Sequence, residues 1–140
     1  MVLTSEKEVT VRFSEVDSLA IVWHGHYVQY FEEGREDFGL KYDLDYLKIY
    51  AEGFLVPIVG LKIDYKRPLV YGDTMIIETI FRDTPAAKII FDFNIYKKGE
   101  QRELIATGQS VQVFLDEQRT LQLYNPAFYE AWKQKMNLGS

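Results

Sequence analysis

The chain has 140 residues, no cysteine, a formal net charge of −5, and 47% hydrophobic and 15% aromatic residues. These totals fit one domain over residues 1–140 with a single hydrophobic core. The lack of cysteine excludes disulfides, thiol catalysis and zinc–thiolate sites and is compatible with the cytoplasm, where we expect the protein. The acidic balance disfavours nucleic-acid binding, and the longest apolar run is too short to span a membrane.

The first third of the chain changes from a strand pattern to a helix pattern. Apolar and polar residues alternate over residues 6–13, which predicts a strand with one wet face. After a loop, helical spacing over residues 26–38 predicts the main helix. Its apolar side is formed by Tyr27, Tyr30, Phe31, Gly34 and Phe38. Gly34 would let this helix approach a sheet closely. Gly39 is expected to end the helix, and Asp43 to begin a short second one.

The remaining chain is predicted to consist mainly of strands. They cover residues 54–65, 74–82, 88–96 and 103–115 and are separated by turns, and Asn125-Pro126 opens a terminal helix. One strand, one main helix and a run of antiparallel strands is an α+β pattern. A sheet with the helix on one face is the simplest way to bury both apolar surfaces.

Asp17 is followed by Ile21-Val22-Trp23-His24-Gly25-His26-Tyr27 and then by Phe31-Glu32-Glu33-Gly34-Arg35. Further on come Asp64-Tyr65-Lys66-Arg67-Pro68 and Tyr71-Gly72-Asp73. This pattern resembles the hotdog-fold acyl-CoA thioesterases of the 4-hydroxybenzoyl-CoA thioesterase-like family. The order of elements matches over nearly the whole chain.

The resemblance implies a hotdog fold, in which a five-stranded antiparallel sheet wraps around one central helix. It implies a dimer whose sheets join, often paired into a tetramer, with acyl-CoA at the dimer interface. We expect no cofactor and no metal. Two departures bear on substrate choice. The family usually has glycine where this chain has Ser18-Leu19-Ala20, and commonly asparagine where this chain has His26.

Thioester hydrolysis develops negative charge on the carbonyl oxygen and needs an activated water or a nucleophile. A helix N-terminus offers free N–H groups and partial positive charge, so the N–H groups of His24 and Gly25 are the expected oxyanion donors. Asp17 is the expected base or nucleophile. Trp23, His26 and Tyr27 beside these groups, and the basic pair Lys66-Arg67, are expected to contact the substrate. Lys97-Lys98 is a second basic pair.

Other interpretations of these residues stay open. Asp17 could cap a turn, the His24 side chain could be structural, and Glu32 or Glu33 could supply the base. Asp17 with His24 and His26 resembles a two-histidine, one-carboxylate metal set, but residues two apart diverge on a helix.

Two other functions also stay open. A hotdog hydratase or dehydratase would act on enoyl thioesters with a histidine–carboxylate pair. A non-catalytic module would bind acyl-CoA or acyl-carrier protein. The acyl group itself is not readable from the sequence.

Overall fold

A computed structural model describes residues 2–139 of the protein. Met1 and Ser140, which the single-domain prediction includes, lie outside the described residues. Five strands form one antiparallel sheet in the order β1-β3-β4-β5-β2. They are β1 (Thr4–Thr10), β2 (Ile58–Tyr65), β3 (Thr74–Arg82), β4 (Lys88–Lys97) and β5 (Glu103–Val113). The predicted α+β class and the five-stranded antiparallel sheet are confirmed.

The helices are α1 (Tyr27–Tyr42), α2 (Tyr46–Ala51) and α3 (Ala127–Lys135). The long helix α1 buries the side that its spacing predicted, and Phe31 stacks on Phe93 of β4 with 4.5 Å between ring centroids. Phe38 packs edge-on against Phe91, at 4.9 Å. No helix of residues 2–139 is long and apolar enough to cross a membrane.

Gly34 lies where α1 and the sheet come closest. A Cβ added there would meet Oγ1 of Thr79 at 2.5 Å and Cγ2 of Ile77 at 2.7 Å. Both partners are fully buried, β-branched residues of β3, so they have little freedom to move away. The predicted role of Gly34 in a close helix–sheet contact is confirmed.

The first strand ends earlier than its alternation predicted. Beyond Thr10 the chain forms a 3-10 turn over Phe13–Glu15. The Glu15 carboxylate accepts the Arg12 N–H at 2.7 Å, and this local bond competes with strand pairing.

Gly39 does not end the main helix. The helix continues to Tyr42, and Asp43 adopts the left-handed conformation (φ 66°) and donates its N–H to the Gly39 carbonyl. Gly39 instead allows close packing, because a Cβ there would lie 2.9 Å from the Leu44 carbonyl oxygen. The second helix consequently begins after Asp45, and not after Asp43.

The strand predicted over residues 54–65 begins only at Ile58, as β2. Pro57 has no N–H to donate, and prolines are tolerated at strand beginnings for that reason. β1 and β2 are the two edges of the sheet.

We predict that Gly34→Ala lowers the free energy of unfolding by about 1–2 kcal/mol, because overpacking against Thr79 and Ile77 outweighs the gain in helix propensity. Urea denaturation measures it. Glu36→Ala, on the exposed side of the same helix, is the control and should stay within about 0.5 kcal/mol of the wild type. A Gly34→Ala protein as stable as the wild type would refute the contact.

Candidate active site

Asp17 lies in a tight hairpin turn between β1 and α1. Its N–H donates to the Ile21 carbonyl and its own carbonyl accepts the Ala20 N–H, both at 2.9 Å. Its Oδ1 accepts the N–H of Leu19 at 2.8 Å. Val16 pairs with Val22 below the turn. The turn interpretation of Asp17 is therefore correct for one carboxylate oxygen. Within residues 2–139 the structure gives Oδ2 no hydrogen-bond donor, so that oxygen can interact with a water or a substrate.

The same turn occurs a second time, at Asp116. Oδ1 of Asp116 accepts the Gln118 N–H at 2.9 Å, and its carbonyl accepts the Arg119 N–H at 2.9 Å. Arg119 and Ala20 occupy the same position of the two turns, and both are left-handed, with φ of 62° and 65°. The backbone conformation of the Asp17 turn is thus not special to this site. Only the surroundings of the turn distinguish it from the Asp116 turn.

The chain after the Asp17 turn is held on both sides before it enters α1. Val22 donates its N–H to the Leu69 carbonyl at 2.8 Å, and Trp23 donates its N–H to the Glu15 carbonyl at 2.9 Å. Residues His24–His26 then form a 3-10 turn that leads directly into α1. Within residues 2–139, the N–H groups of His24 and Gly25 have no backbone or side-chain acceptor. They are free donors at the positive end of a 16-residue helix.

Glu15 and Arg12 tie the Asp17 turn to the helix. Glu15 is only 5% exposed, and its carboxylate faces the Arg12 guanidinium at 3.4 Å. Arg12 also faces Glu33 of α1 at 3.8 Å. Glu33, an alternative base in the sequence interpretation, therefore has an arginine beside it.

Trp23 covers the start of the helix. Its ring centroid lies 5.0 Å from that of His24 and 5.6 Å from that of His26. A Cβ on Gly25 would come within 2.2 Å of the indole Cζ3, so a larger residue here would displace this ring. The indole is 48% exposed and forms an open apolar surface next to the free N–H groups. His26 is bound through Nδ1 to Oε1 of Gln29 at 3.0 Å.

Tyr27 and Tyr65 pack against the 3-10 turn His24–His26. Their rings meet edge-on at 5.1 Å, and the Tyr65 hydroxyl donates to the His24 carbonyl at 2.8 Å. Tyr27 is only 3% exposed, so its side chain packs in the core, and the expected substrate contact stays a prediction. Lys66 and Arg67 are exposed and follow Tyr65 directly in the chain, and their expected contact with the substrate stays a prediction. Arg67 pairs with Glu103 at 3.1 Å.

Two tyrosines near the site are held in their neutral form. Burial raises the pKa of Tyr27 to about 12, with Tyr65 adding to the rise and the Leu69 N–H opposing it. Burial, and then the charge of Glu15, raise the pKa of Tyr30. Because both hydroxyls keep their protons at neutral pH, neither can act as the general base.

A cavity of about 830 Å³ lies beside the middle of α1. It is lined by Glu32, Glu33, Arg35 and Glu36 of α1, by residues of α2, and by Ile89 and Phe91 of the sheet. Asp17, His24 and Gly25 do not line it. The basic residues Lys97 and Lys98 do not line this cavity, and they pair with Asp73 and Glu8. Among residues 2–139, no three His, Cys, Asp or Glu side chains come together as metal ligands would.

The sequence matches the thioesterase-like superfamily over residues 11–133. The chain belongs to this superfamily. It is 33% identical over 114 residues to YneP of Bacillus subtilis (strain 168), a protein assigned by name as an acyl-CoA thioesterase, and the match covers 78% of this chain and 79% of that protein.

Solved thioesterase structures show the same fold. The DHNA-CoA thioesterase of Staphylococcus aureus superposes with a TM-score of 0.82 at 23% identity, covering 96% of this chain and 91% of that one. The 4-hydroxybenzoyl-CoA thioesterase of a Pseudomonas strain gives a TM-score of 0.78 at 19% identity, covering 92% of this chain and 98% of that one. The predicted hotdog fold and the predicted family are confirmed.

Sequence reasoning missed Glu15 and Tyr65 as parts of this candidate site. Tyr65 lay inside a quoted stretch of the family pattern, and its alternation with Ile63 placed it on a strand, but no local spacing relates it to residue 24. Glu15 carried no signal, because a glutamate in a polar loop is ordinarily solvated.

We predict that Ala20→Gly raises the free energy of unfolding by about 0.5–1 kcal/mol. Alanine is strained in the left-handed conformation, and glycine is not. We expect the relief of this strain to stabilise the folded state by more than the extra backbone freedom of glycine stabilises the unfolded chain. Thermal or urea denaturation measures the change. Ala131→Gly, within ordinary helix α3, is the control and should lower stability by up to about 1 kcal/mol. If both variants were destabilised equally, the strain at position 20 would be disproved.

Proposed function

We propose that the protein hydrolyses an acyl-CoA thioester to a free acid and coenzyme A. The observation that carries this proposal is the pair of free N–H groups of His24 and Gly25 at the start of α1, beside the Asp17 turn. Family membership supports it. Residues 1–140 would form one thioesterase domain acting in the cytoplasm without a cofactor.

In the proposed reaction the thioester carbonyl oxygen accepts hydrogen bonds from the N–H groups of His24 and Gly25. These two donors stabilise the negative charge that develops on the oxygen. Each such donor contributes roughly 3 kcal/mol to transition-state stabilisation. Asp17 either takes a proton from the water that attacks the carbonyl carbon or attacks that carbon itself, giving an anhydride that water then hydrolyses. In both routes the carbon–sulfur bond breaks and the thiolate leaves with the electron pair. Thiolate is a good leaving group, so a strong general acid is not required.

The exposed face near this site suits the rest of the substrate. We assign the indole of Trp23 and the side chain of His26 to the acyl-thioester region, since both lie over the helix start. Lys66 and Arg67 would attract the phosphates of coenzyme A. An acyl-carrier protein remains the alternative carrier of the same thioester.

We also propose that the protein works as a dimer, paired again into a tetramer. β2 is an edge strand, and Val59 and Leu61 on it have exposed apolar side chains. Exposed edges with apolar side chains tend to be covered by another chain. Joining two β2 edges would extend the sheet across both protomers.

We predict that Asp17→Asn lowers kcat for acyl-CoA hydrolysis by about 10²- to 10⁴-fold, because an amide is neither a base nor a nucleophile here. The fold should survive, since an asparagine Oδ1 still accepts the Leu19 N–H. A thiol-detecting assay measures coenzyme A release.

Asp116→Asn is the matched control, because it makes the same change in the same kind of turn. This variant should keep the wild-type kcat. Full activity in Asp17→Asn would disprove the assignment of Asp17. A change in enoyl absorbance without thiol release would indicate a hydratase, and tight acyl-CoA binding with neither signal would indicate a non-catalytic module.

A further inference from the structure

Tyr65 reaches the oxyanion turn from a different part of the fold. It is the last residue of β2, and its hydroxyl donates to the His24 carbonyl oxygen at 2.8 Å. Its ring is fixed edge-on against Tyr27 at 5.1 Å and against the His24 imidazole at 6.4 Å. Three contacts therefore set the position of this hydroxyl.

The oxygen that accepts this hydrogen bond belongs to the same peptide group as one of the proposed oxyanion donors. The His24 carbonyl and the Gly25 N–H share a planar unit, and the residues described contain no cis peptide bond. In a trans peptide the N–H points away from the carbonyl. Tyr65 thus binds one end of this unit, and the opposite end presents the free Gly25 N–H.

The same carbonyl also accepts the N–H of Tyr27 as the helix begins. Two donors on one oxygen restrict rotation of the whole peptide plane, and so they fix the direction of the Gly25 N–H. They also polarise the amide, because hydrogen bonds in a chain strengthen one another, and the N–H becomes a better donor. Donors that are oriented before the reaction stabilise an oxyanion most effectively.

We propose that Tyr65 is a positioning residue, whose hydroxyl orients and polarises the His24–Gly25 peptide so that the Gly25 N–H faces the oxyanion. This inference rests on the proposed function for the role of that N–H. Because Tyr65 belongs to the edge strand β2, its hydrogen bond also connects the candidate site to the edge of the sheet.

A merely structural role for Tyr65 predicts a different result. Its side chain is 51% exposed, so loss of one hydroxyl there would cost some stability and leave turnover unchanged. Tyr42 provides the comparison, because its hydroxyl also donates to a backbone carbonyl, that of Thr4 at 2.7 Å. Tyr42 lies at the opposite end of α1 from the site.

The test compares Tyr65→Phe with Tyr42→Phe in the full chain, after checking that each has the wild-type oligomeric state. We expect Tyr65→Phe to lower kcat about three- to tenfold, the worth of one hydrogen bond, with KM within twofold of the wild type. Tyr42→Phe should keep the wild-type kcat. In NMR spectra, the Gly25 amide proton should move upfield in Tyr65→Phe only.

Wild-type kcat together with an unmoved Gly25 resonance in Tyr65→Phe would overturn the inference, as would equal kcat losses in both variants. The amide resonance needs no substrate. If the wild type released no thiol from any acyl-CoA, the proposed function would fail. In that case the Gly25 amide resonance would still test whether the Tyr65 hydrogen bond polarises the His24–Gly25 peptide. An unchanged resonance in Tyr65→Phe would show that it does not.

Discussion

The contact between Gly34 and β3 determines where the candidate active site can lie. With Thr79 and Ile77 directly beneath position 34, α1 is held against the sheet at a depth that no larger residue would allow. A helix is rigid over this length, so fixing its middle also fixes its first turn. The free N–H groups of His24 and Gly25 are therefore placed by packing that lies more than two helical turns away.

The segment from β1 to α1 completes the site by a series of backbone hydrogen bonds. The Asp17 hairpin closes on itself, Trp23 bonds to Glu15, and Val22 bonds to Leu69. The buried carboxylate of Glu15 and the guanidinium of Arg12 add a charged tie between this segment and α1. A loop with this many attachments can hold a carboxylate and two amides in one arrangement before a substrate binds, which is what electrostatic catalysis requires.

Much of the fold could be predicted because its signals are local. The spacing of Tyr27, Tyr30 and Phe31 defines one helix face, and alternation defines β4, where burial follows the predicted period. The end of α1 was predicted wrongly because Gly39 serves tertiary packing against Leu44, while Asp43 supplies the left-handed cap. A glycine near a helix end has the same sequence signature in both roles.

The site was less predictable than the fold, for a physical reason. Asp17 and Asp116 form the same turn with the same backbone hydrogen bonds, so the turn alone does not separate a candidate catalytic carboxylate from a structural one. Only the folded structure shows that Oδ2 of Asp116 accepts a hydrogen bond from Gln122, whereas Oδ2 of Asp17 has no donor among residues 2–139. The resemblance to a family singled out Asp17. The bond from Tyr65 to His24 joins residues 41 positions apart, and only the folded sheet brings them together.

We propose that this helix start and its neighbouring carboxylate hydrolyse a thioester. The most direct measurement follows coenzyme A thiol and free acid together while the purified wild-type protein acts on a panel of short aliphatic and aromatic acyl-CoAs. Hydrolysis predicts that both products form in equal amounts over many turnovers with at least one member of the panel. Acyl-CoA binding without thiol release above the uncatalysed rate, across the whole panel, would contradict it.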